Sequence, residues 1–192
     1  MADGIGSEAA IGGISEDQCA RKKDFTQRAQ RAQSPRRIPV QEQKDMPIDS
    51  KLLGLAQRAA EAEGLDAALV CAVVEQESGW NTWAMRYEPA FFAKYVAPLY
   101  TNNKVGATEA YARGISWGLM QVMGQTAREK GASSPYLSTL CDPAVGLALG
   151  CRILRQKLDA VGGDAARALL AWNGGANKDY ADEVLARVGR YR

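Results

Sequence analysis

From residue 49 onward the sequence predicts an all-α domain of roughly seven helices, on three observations. Apolar residues recur at three- and four-residue spacing in one window after another. Helix starts are marked by Asp49, Asp66, Asp142-Pro143 and Asp164, and stops by Gly64, Gly79, Gly131 and Gly162-Gly163. No run of alternating β-branched residues competes.

Asp49 or Ser50 caps a first helix that carries Leu52, Leu53, Ala56, Ala59 and Ala60 and ends near Gly64. The second begins near Asp66. Leu65, Ala68, Leu69, Ala72 and Val73 make one face, and Val70 and Val74 widen it. A helix apolar almost all round belongs in the core, and Ser78-Gly79 ends it. Residues 80–116 are less regular. Phe91, Phe92, Tyr95, Val96 and Leu99 suit one amphipathic helix ended near Pro98 or Tyr100; Asn102-Asn103 is a turn, and Thr108 to Arg113 a short helix. Residues 117–130 predict a helix with Leu119, Met120, Val122, Met123 and Ala127, closed by Gly131. Asp142-Pro143 pairs an N-cap acid with a proline at the first helical position, and that helix runs to about Ala160. Asp164 caps the next, through Ala171. A last helix covers about Lys178 to Val188.

A chain of 192 residues accommodates one domain with a sizeable core plus an appendage. The net charge is +2 and unevenly spread. Residues 1–20 hold four acids and no bases, whereas residues 21–45 hold eight bases and three acids. Residues 1–45, rich in Gly, Gln, Arg and Ser, are expected to be a flexible basic leader or linker, with residues 46–192 as the functional domain. Met46-Pro47-Ile48-Asp49 also reads as a native start. The basic stretch suits a solvated linker better than a nucleic-acid contact, and no nucleic-acid partner is expected. No apolar stretch reaches the roughly 18–20 residues of a membrane span, and no signal peptide is visible, so action outside the cytoplasm would need another route of release.

The chain has no histidine, which removes Ser-His-Asp and Cys-His nucleophiles and every histidine metal site. Acid–base chemistry falls to carboxylates, Lys, Tyr or Cys. The cysteines, Cys19, Cys71, Cys141 and Cys151, form no CxxC pair, so no zinc ribbon is expected. Cys71 reads as a small buried hydrophobe. The spacing of Cys141 and Cys151 leaves open whether they are bridged.

Glu77 sits in the last turn of the most apolar helix. Burial disfavours its ionised form, and so does the negative end of the helix dipole, so both push its pKa upward as a general acid requires. Glu75 is about 200° away around the helix and cannot pair with it. Ser78 either donates to the Glu77 carboxyl or completes the helix stop. Gly118-Leu119-Met120-Gln121 reads as a helix start with core Leu and Met, or as a site where the glycine admits a ligand to the backbone and Gln121 binds it. Trp172-Asn173-Gly174-Gly175 is either an ordinary helix end or an aromatic face beside an amide, suited to sugar stacking and hydrogen bonding. Tyr180 follows, in core or cleft.

The ordered set Glu77-Ser78, Gly118-Leu119-Met120-Gln121, Ala171-Trp172-Asn173 and Tyr180 resembles the soluble-type lytic transglycosylase domain, whose fold is related to goose-type lysozyme. Ser78-Gly79-Trp80-Asn81, Gln121-Val122-Met123, Thr126-Ala127 and Asp142-Pro143 with Gly150 and Leu154 extend the likeness, which covers about residues 50–190. The chain departs from the pattern in three places. Trp172 stands where a Tyr is usual and Gly124 where a Pro is common. About thirty residues, roughly 84–115, are inserted after Glu77. Arg86-Tyr87-Glu88-Pro89 and the Phe91/Phe92 helix of that insert are expected to line or lid the cleft, which makes Glu88 a candidate second carboxylate.

The resemblance implies a lysozyme-like helical fold with a cleft and peptidoglycan glycan strands as the partner. It implies a monomer that needs no cofactor and no metal, and cleavage of the β-1,4 bond between N-acetylmuramic acid and N-acetylglucosamine to give a 1,6-anhydro end. Glu77 is then the catalytic residue. Ser78, Met120, Gln121, Trp172, Asn173 and Tyr180 bind substrate, with Trp80, Tyr87 or Trp172 as stacking surfaces. The alternatives are a muramidase-type hydrolase on the same fold and a non-catalytic wall-binding or structural module.

Overall fold

Asp49 accepts a hydrogen bond from the Lys51 N–H at 2.8 Å and so starts α1 (Ser50–Ala62). Asp66 does the same for the Ala68 N–H at 2.9 Å and starts α2 (Ala67–Ser78). The computed structural model describes residues 48–175 and 177–192. The leader expected over residues 1–45, Cys19 and the Met46-Pro47 start lie outside the described residues.

α2 is buried along its whole apolar length, from Ala68 to Val74. It packs against α1, whose seam of Ala56 and Ala60 lets the two backbones approach. Each valine side chain removed from water contributes about 1.5–3 kcal/mol, so α2 anchors the fold as well as carrying Glu77. Gly79, at φ +56°, ends the helix by donating its N–H to the Glu75 carbonyl.

A small antiparallel sheet follows, of β1 (Met85–Tyr87), β2 (Ile115–Trp117) and β3 (Val122–Met123). Met85 pairs with Trp117, Arg86 with Ser116 and Tyr87 with Ile115, while Trp117 also pairs with Val122. The single helix expected over residues 117–130 is therefore corrected. Trp117 ends a strand, residues 118–121 are a tight turn, and helix resumes only later. Gly118 and Gln121 lie at φ +68° and +47°, which no α-helix contains. A Cβ at Gly118 would stand 2.3 Å from the Leu140 carbonyl oxygen, so the turn closes only on glycine. Leu119 and Met120 are buried from this turn, and their apolar character imitates a helix face.

Within the insert, α3 (Pro89–Phe91), a π-helical turn (Phe92–Val96) and α4 (Ala97–Thr101) run on continuously. Pro98 has no N–H, and its ring would press on the carbonyl four residues back; the widened turn before it relieves both problems, so the helix passes the proline and stops at Thr101. α5 (Ala107–Arg113) and α6 (Gly124–Glu129) are joined through side chains: Arg128 and Arg113 both donate to Glu109 Oε1, at 2.7 and 2.8 Å.

After a 3-10 turn (Leu137–Cys141), Asp142 accepts from the Ala144 and Val145 N–H groups and Pro143 opens α7 (Pro143–Ala160), as its sequence signature predicts. Met120 packs on Gly150 of α7; a Cβ there would stand 2.4 Å from the Met120 sulfur. α8 (Ala165–Trp172) is capped by Asp164. α9 (Tyr180–Val188) and a final 3-10 turn (Gly189–Tyr191) lie against α2. Cys71, Cys141 and Cys151 are buried free thiols, so Cys141 and Cys151 are not bridged; burial pushes Cys71 up to about 11 and Cys151 to about 12. Among the described residues no helix is long and apolar enough to cross a membrane, and no group of carboxylates and thiols is arranged to hold a metal.

Candidate active site

The end of α2 presents Glu77 toward α8 and α9. Its Oε1 accepts two hydrogen bonds, from the Trp172 indole N–H at 2.9 Å and from the Tyr180 hydroxyl at 2.5 Å. Those donors lie 95 and 103 residues further along the chain. Each arrives on a framework of its own. Trp172 ends α8, where Lys157 of α7 donates to the Ala171 carbonyl at 2.7 Å and holds the last turn. Tyr180 opens α9 and is only 5% exposed. Among the described residues Oε2 has no protein partner, so it is the oxygen left to carry a proton.

Burial raises the Glu77 pKa. The bonds from Tyr180 and Trp172 and the charge of Arg86 oppose that rise, and the charge of Glu88 adds to it. Burial and the Glu77 charge also push the Tyr180 phenol well up, so it stays a donor throughout the physiological range. The site thus holds a carboxyl by neutral donors, which stabilise its ionised form without stripping its proton as a contacting guanidinium would. Where the resembled pattern has a tyrosine, the indole at position 172 supplies a hydrogen bond to Glu77.

The other predicted residues take several positions. Gln121 spends its amide on the scaffold. Its Nε2 donates to the Ala84 and Gly118 carbonyls at 3.0 and 2.9 Å, and its Oε1 accepts from Ser116 at 2.8 Å. It therefore ties the 118–121 turn to the loop that leaves α2. The Met120 side chain is 1% exposed and belongs to the core, leaving only its backbone to meet a ligand. Asn173 donates to the Asn177 carbonyl at 3.2 Å and shapes the loop before α9. The Ser78 hydroxyl donates to the Val74 carbonyl at 3.1 Å, within the helix, and not to Glu77. Glu88 lies at the end of β1, ion-paired with Arg86, and both charges reach Glu77.

Glu75 faces away from Glu77, as the helical rotation requires, and is bound by Arg190 and by the Tyr191 hydroxyl at 2.7 Å. Trp80 donates its indole N–H to Tyr191 at 3.0 Å. Tyr87 packs on Phe92 and Tyr111, with ring centroids 5.7 and 6.1 Å away. Trp83, 75% exposed, stands just before β1, where Met85 and Tyr87 also face solvent. Sequence reasoning missed two residues that bond to predicted ones: Ser116, which donates to Gln121 from beneath it, and Tyr191, which accepts from Trp80; neither carries a local sequence signal. Away from these residues, a basin of about 320 Å³ lies against α7, lined in part by Arg128, Lys130, Tyr136 and Arg152; none of the predicted site residues borders it.

The family model of the Transglycosylase SLT domain matches residues 54–184. The helical architecture, with its small antiparallel sheet, fits the lysozyme-like helical fold expected of that family. No solved structure matches the chain. With most of its length matched, the chain belongs to the Transglycosylase SLT domain family.

Proposed function

We propose that this protein cleaves the β-1,4 bond between N-acetylmuramic acid and N-acetylglucosamine in peptidoglycan strands without water, leaving a 1,6-anhydro end. The observation that carries this reading is Glu77: one partly buried carboxyl with two neutral donors on one oxygen and no partner, among the described residues, on the other. Its raised pKa suits a group that must begin the reaction protonated.

In this mechanism Glu77 Oε2–H gives its proton to the bridging oxygen as the bond to the anomeric carbon breaks. The substrate's acetamido oxygen shares the positive charge left on that carbon. Glu77, now a carboxylate held by Trp172 and Tyr180, accepts the proton of the C6 hydroxyl of the same sugar. The C6 oxygen then bonds the anomeric carbon, and the acid is restored. Family membership and the single carboxyl both support this course, which departs from the two-carboxylate arrangement of most glycosidases. Asn173, the Met120 backbone, the Gln121 turn, Ser78 and Tyr180 border the bound sugars, and Trp172, Trp80 and Tyr87 offer aromatic faces to them. The place of action is the cell wall.

A second reading, hydrolysis on the same fold, draws support from Glu88, whose charge acts on Glu77 from just beyond β1. The products separate the two. Purified sacculi digested with the protein should release fragments ending in anhydro-muramic acid. Reducing muramic ends would favour hydrolysis with Glu88 as the base, and sacculi bound without release would favour a non-catalytic module. Glu77→Gln, folded, should lose nearly all release.

A further inference from the structure

The exit of α2 is an unusual piece of backbone. Gly79 at φ +56° is followed by Trp80 at φ +68°. The first is free for glycine, but the second is costly for any residue with a Cβ and persists only where its surroundings hold it. What holds it is Tyr191, which lies beyond the family match at residues 54–184. The Tyr191 hydroxyl donates to Glu75 Oε2 at 2.7 Å and accepts the Trp80 indole N–H at 3.0 Å, and the two rings lie 6.0 Å apart. Arg190 binds the other oxygen of Glu75, with Arg187 at 3.7 Å. Glu75 thereby fixes the hydroxyl hydrogen and leaves the phenolic oxygen free to receive Trp80.

From Trp80 the contacts run on to the candidate active site. The Asn81 N–H returns to Ser78 at 3.1 Å and the Ala84 N–H to Asn81 at 3.2 Å. The Ala84 carbonyl then accepts both the Gly118 N–H at 2.8 Å and Gln121 Nε2 at 3.0 Å. The same short loop therefore joins the end of α2, which carries Glu77, to the 118–121 turn opposite.

We infer that Tyr191 is a positioning residue: by clamping Trp80 against Glu75 it sets the placement of the Glu77 carboxyl relative to the Gly118–Gln121 turn. The inference rests on the proposed cleavage reaction for its functional consequence, and on the bond network alone for its structural one. Burial and the Glu75 bond push the Tyr191 phenol upward, so its hydroxyl keeps the proton that it donates to Glu75. A clamp of this kind acts on the rate of the bound complex more than on binding, because a small misplacement of a catalytic group costs turnover.

The test uses the full chain with Tyr191→Phe, which keeps the ring and removes only the hydroxyl. On soluble glycan fragments kcat should fall about tenfold while KM stays within about twofold. Trp80→Phe, which removes the N–H at the other end of the bond, should give the same loss, and the double variant should be no worse than either. An unchanged kcat in Tyr191→Phe, or losses that multiply in the double variant, would overturn the proposal. Should Tyr191→Phe not fold, Trp80→Phe with an unchanged kcat does the same. Should the wild type cleave nothing, the catalytic reading fails and the clamp is judged by nuclear magnetic resonance. Displaced Trp80 indole and Gly118 amide signals in Tyr191→Phe support it, and undisturbed signals refute it.

Discussion

Glu77, at the end of α2, and Glu109, on α5 facing α6, are both partly buried glutamates that accept several side-chain hydrogen bonds, and their surroundings drive them in opposite directions. Glu109 is gripped by guanidinium groups. Arg128 binds both its oxygens and Arg113 one, and these bonds, led by that of Arg128, hold its carboxyl below the usual range against the opposing effect of burial. Glu77 meets an indole and a phenol, and burial prevails over them. Burial and hydrogen bonding are common to both; the charge of the donors differs. A cation makes a carboxylate permanent and structural, whereas neutral donors leave the proton exchangeable and the group fit for acid–base work.

The contrast can be broken most sharply at Glu77 itself. Glu77→Gln keeps an acceptor for Trp172 and Tyr180 but cannot transfer a proton, so the release rate from sacculi should fall by about 10³-fold or more. Glu109→Gln should leave the rate per folded molecule unchanged. Next in size is Tyr180→Phe, expected to cost about tenfold in kcat. The lost bond favoured the carboxylate, so its removal raises the Glu77 pKa further. The alkaline limb of the rate profile, where the acid deprotonates, should therefore move to higher pH; a limb that stays or moves down would contradict the assigned role.

Stability sharpens the comparison from the other side. Glu109→Gln should destabilise the fold by about 1–2 kcal/mol at neutral pH, measured by denaturant unfolding. The folded-state pKa of Glu109 is depressed, so its contribution is present above the ordinary glutamate pKa and is lost as pH falls through the folded value. The gap between wild type and variant should close in acid. For Glu77 the sign reverses. Its folded-state pKa is raised, so the ionised form weighs on the native state as pH rises, and Glu77→Gln should melt slightly higher than wild type at neutral and alkaline pH. Below the ordinary glutamate pKa that small gain should vanish. A variant that melts lower at neutral pH would mean that Trp172 and Tyr180 outweigh burial.

Much of this architecture was legible because it is local. The caps at Asp49, Asp66, Asp142 and Asp164 act within three residues, and the apolar stripe of α2 needs only its own neighbours to be recognised. The 118–121 turn was not legible. Strands of two and three residues carry too little alternation to register, and Leu119 and Met120 are buried from a turn, where adjacent apolar residues copy the look of a helix. The π-helical turn before Pro98 was equally hidden, since it answers a clash that exists only once the helix continues.

At the site the division runs through single residues. Sequence alone pointed to Glu77 at the end of a buried helix, to Glu75 facing elsewhere, and to the resemblance of the ordered segments at 77, 118–121, 171–173 and 180 to one family's pattern, because helical rotation and motif order need no partner to be defined. Only the tertiary structure decided that the Trp172 indole replaces a hydroxyl, that Gln121 spends its amide on the scaffold, and that Tyr191 reaches back to Trp80 and Glu75. The Trp172 and Tyr191 contacts cross roughly a hundred residues and are set by how α2, α8 and α9 pack, while Gln121 reaches the Ala84 carbonyl across 37 residues once the 118–121 turn has formed.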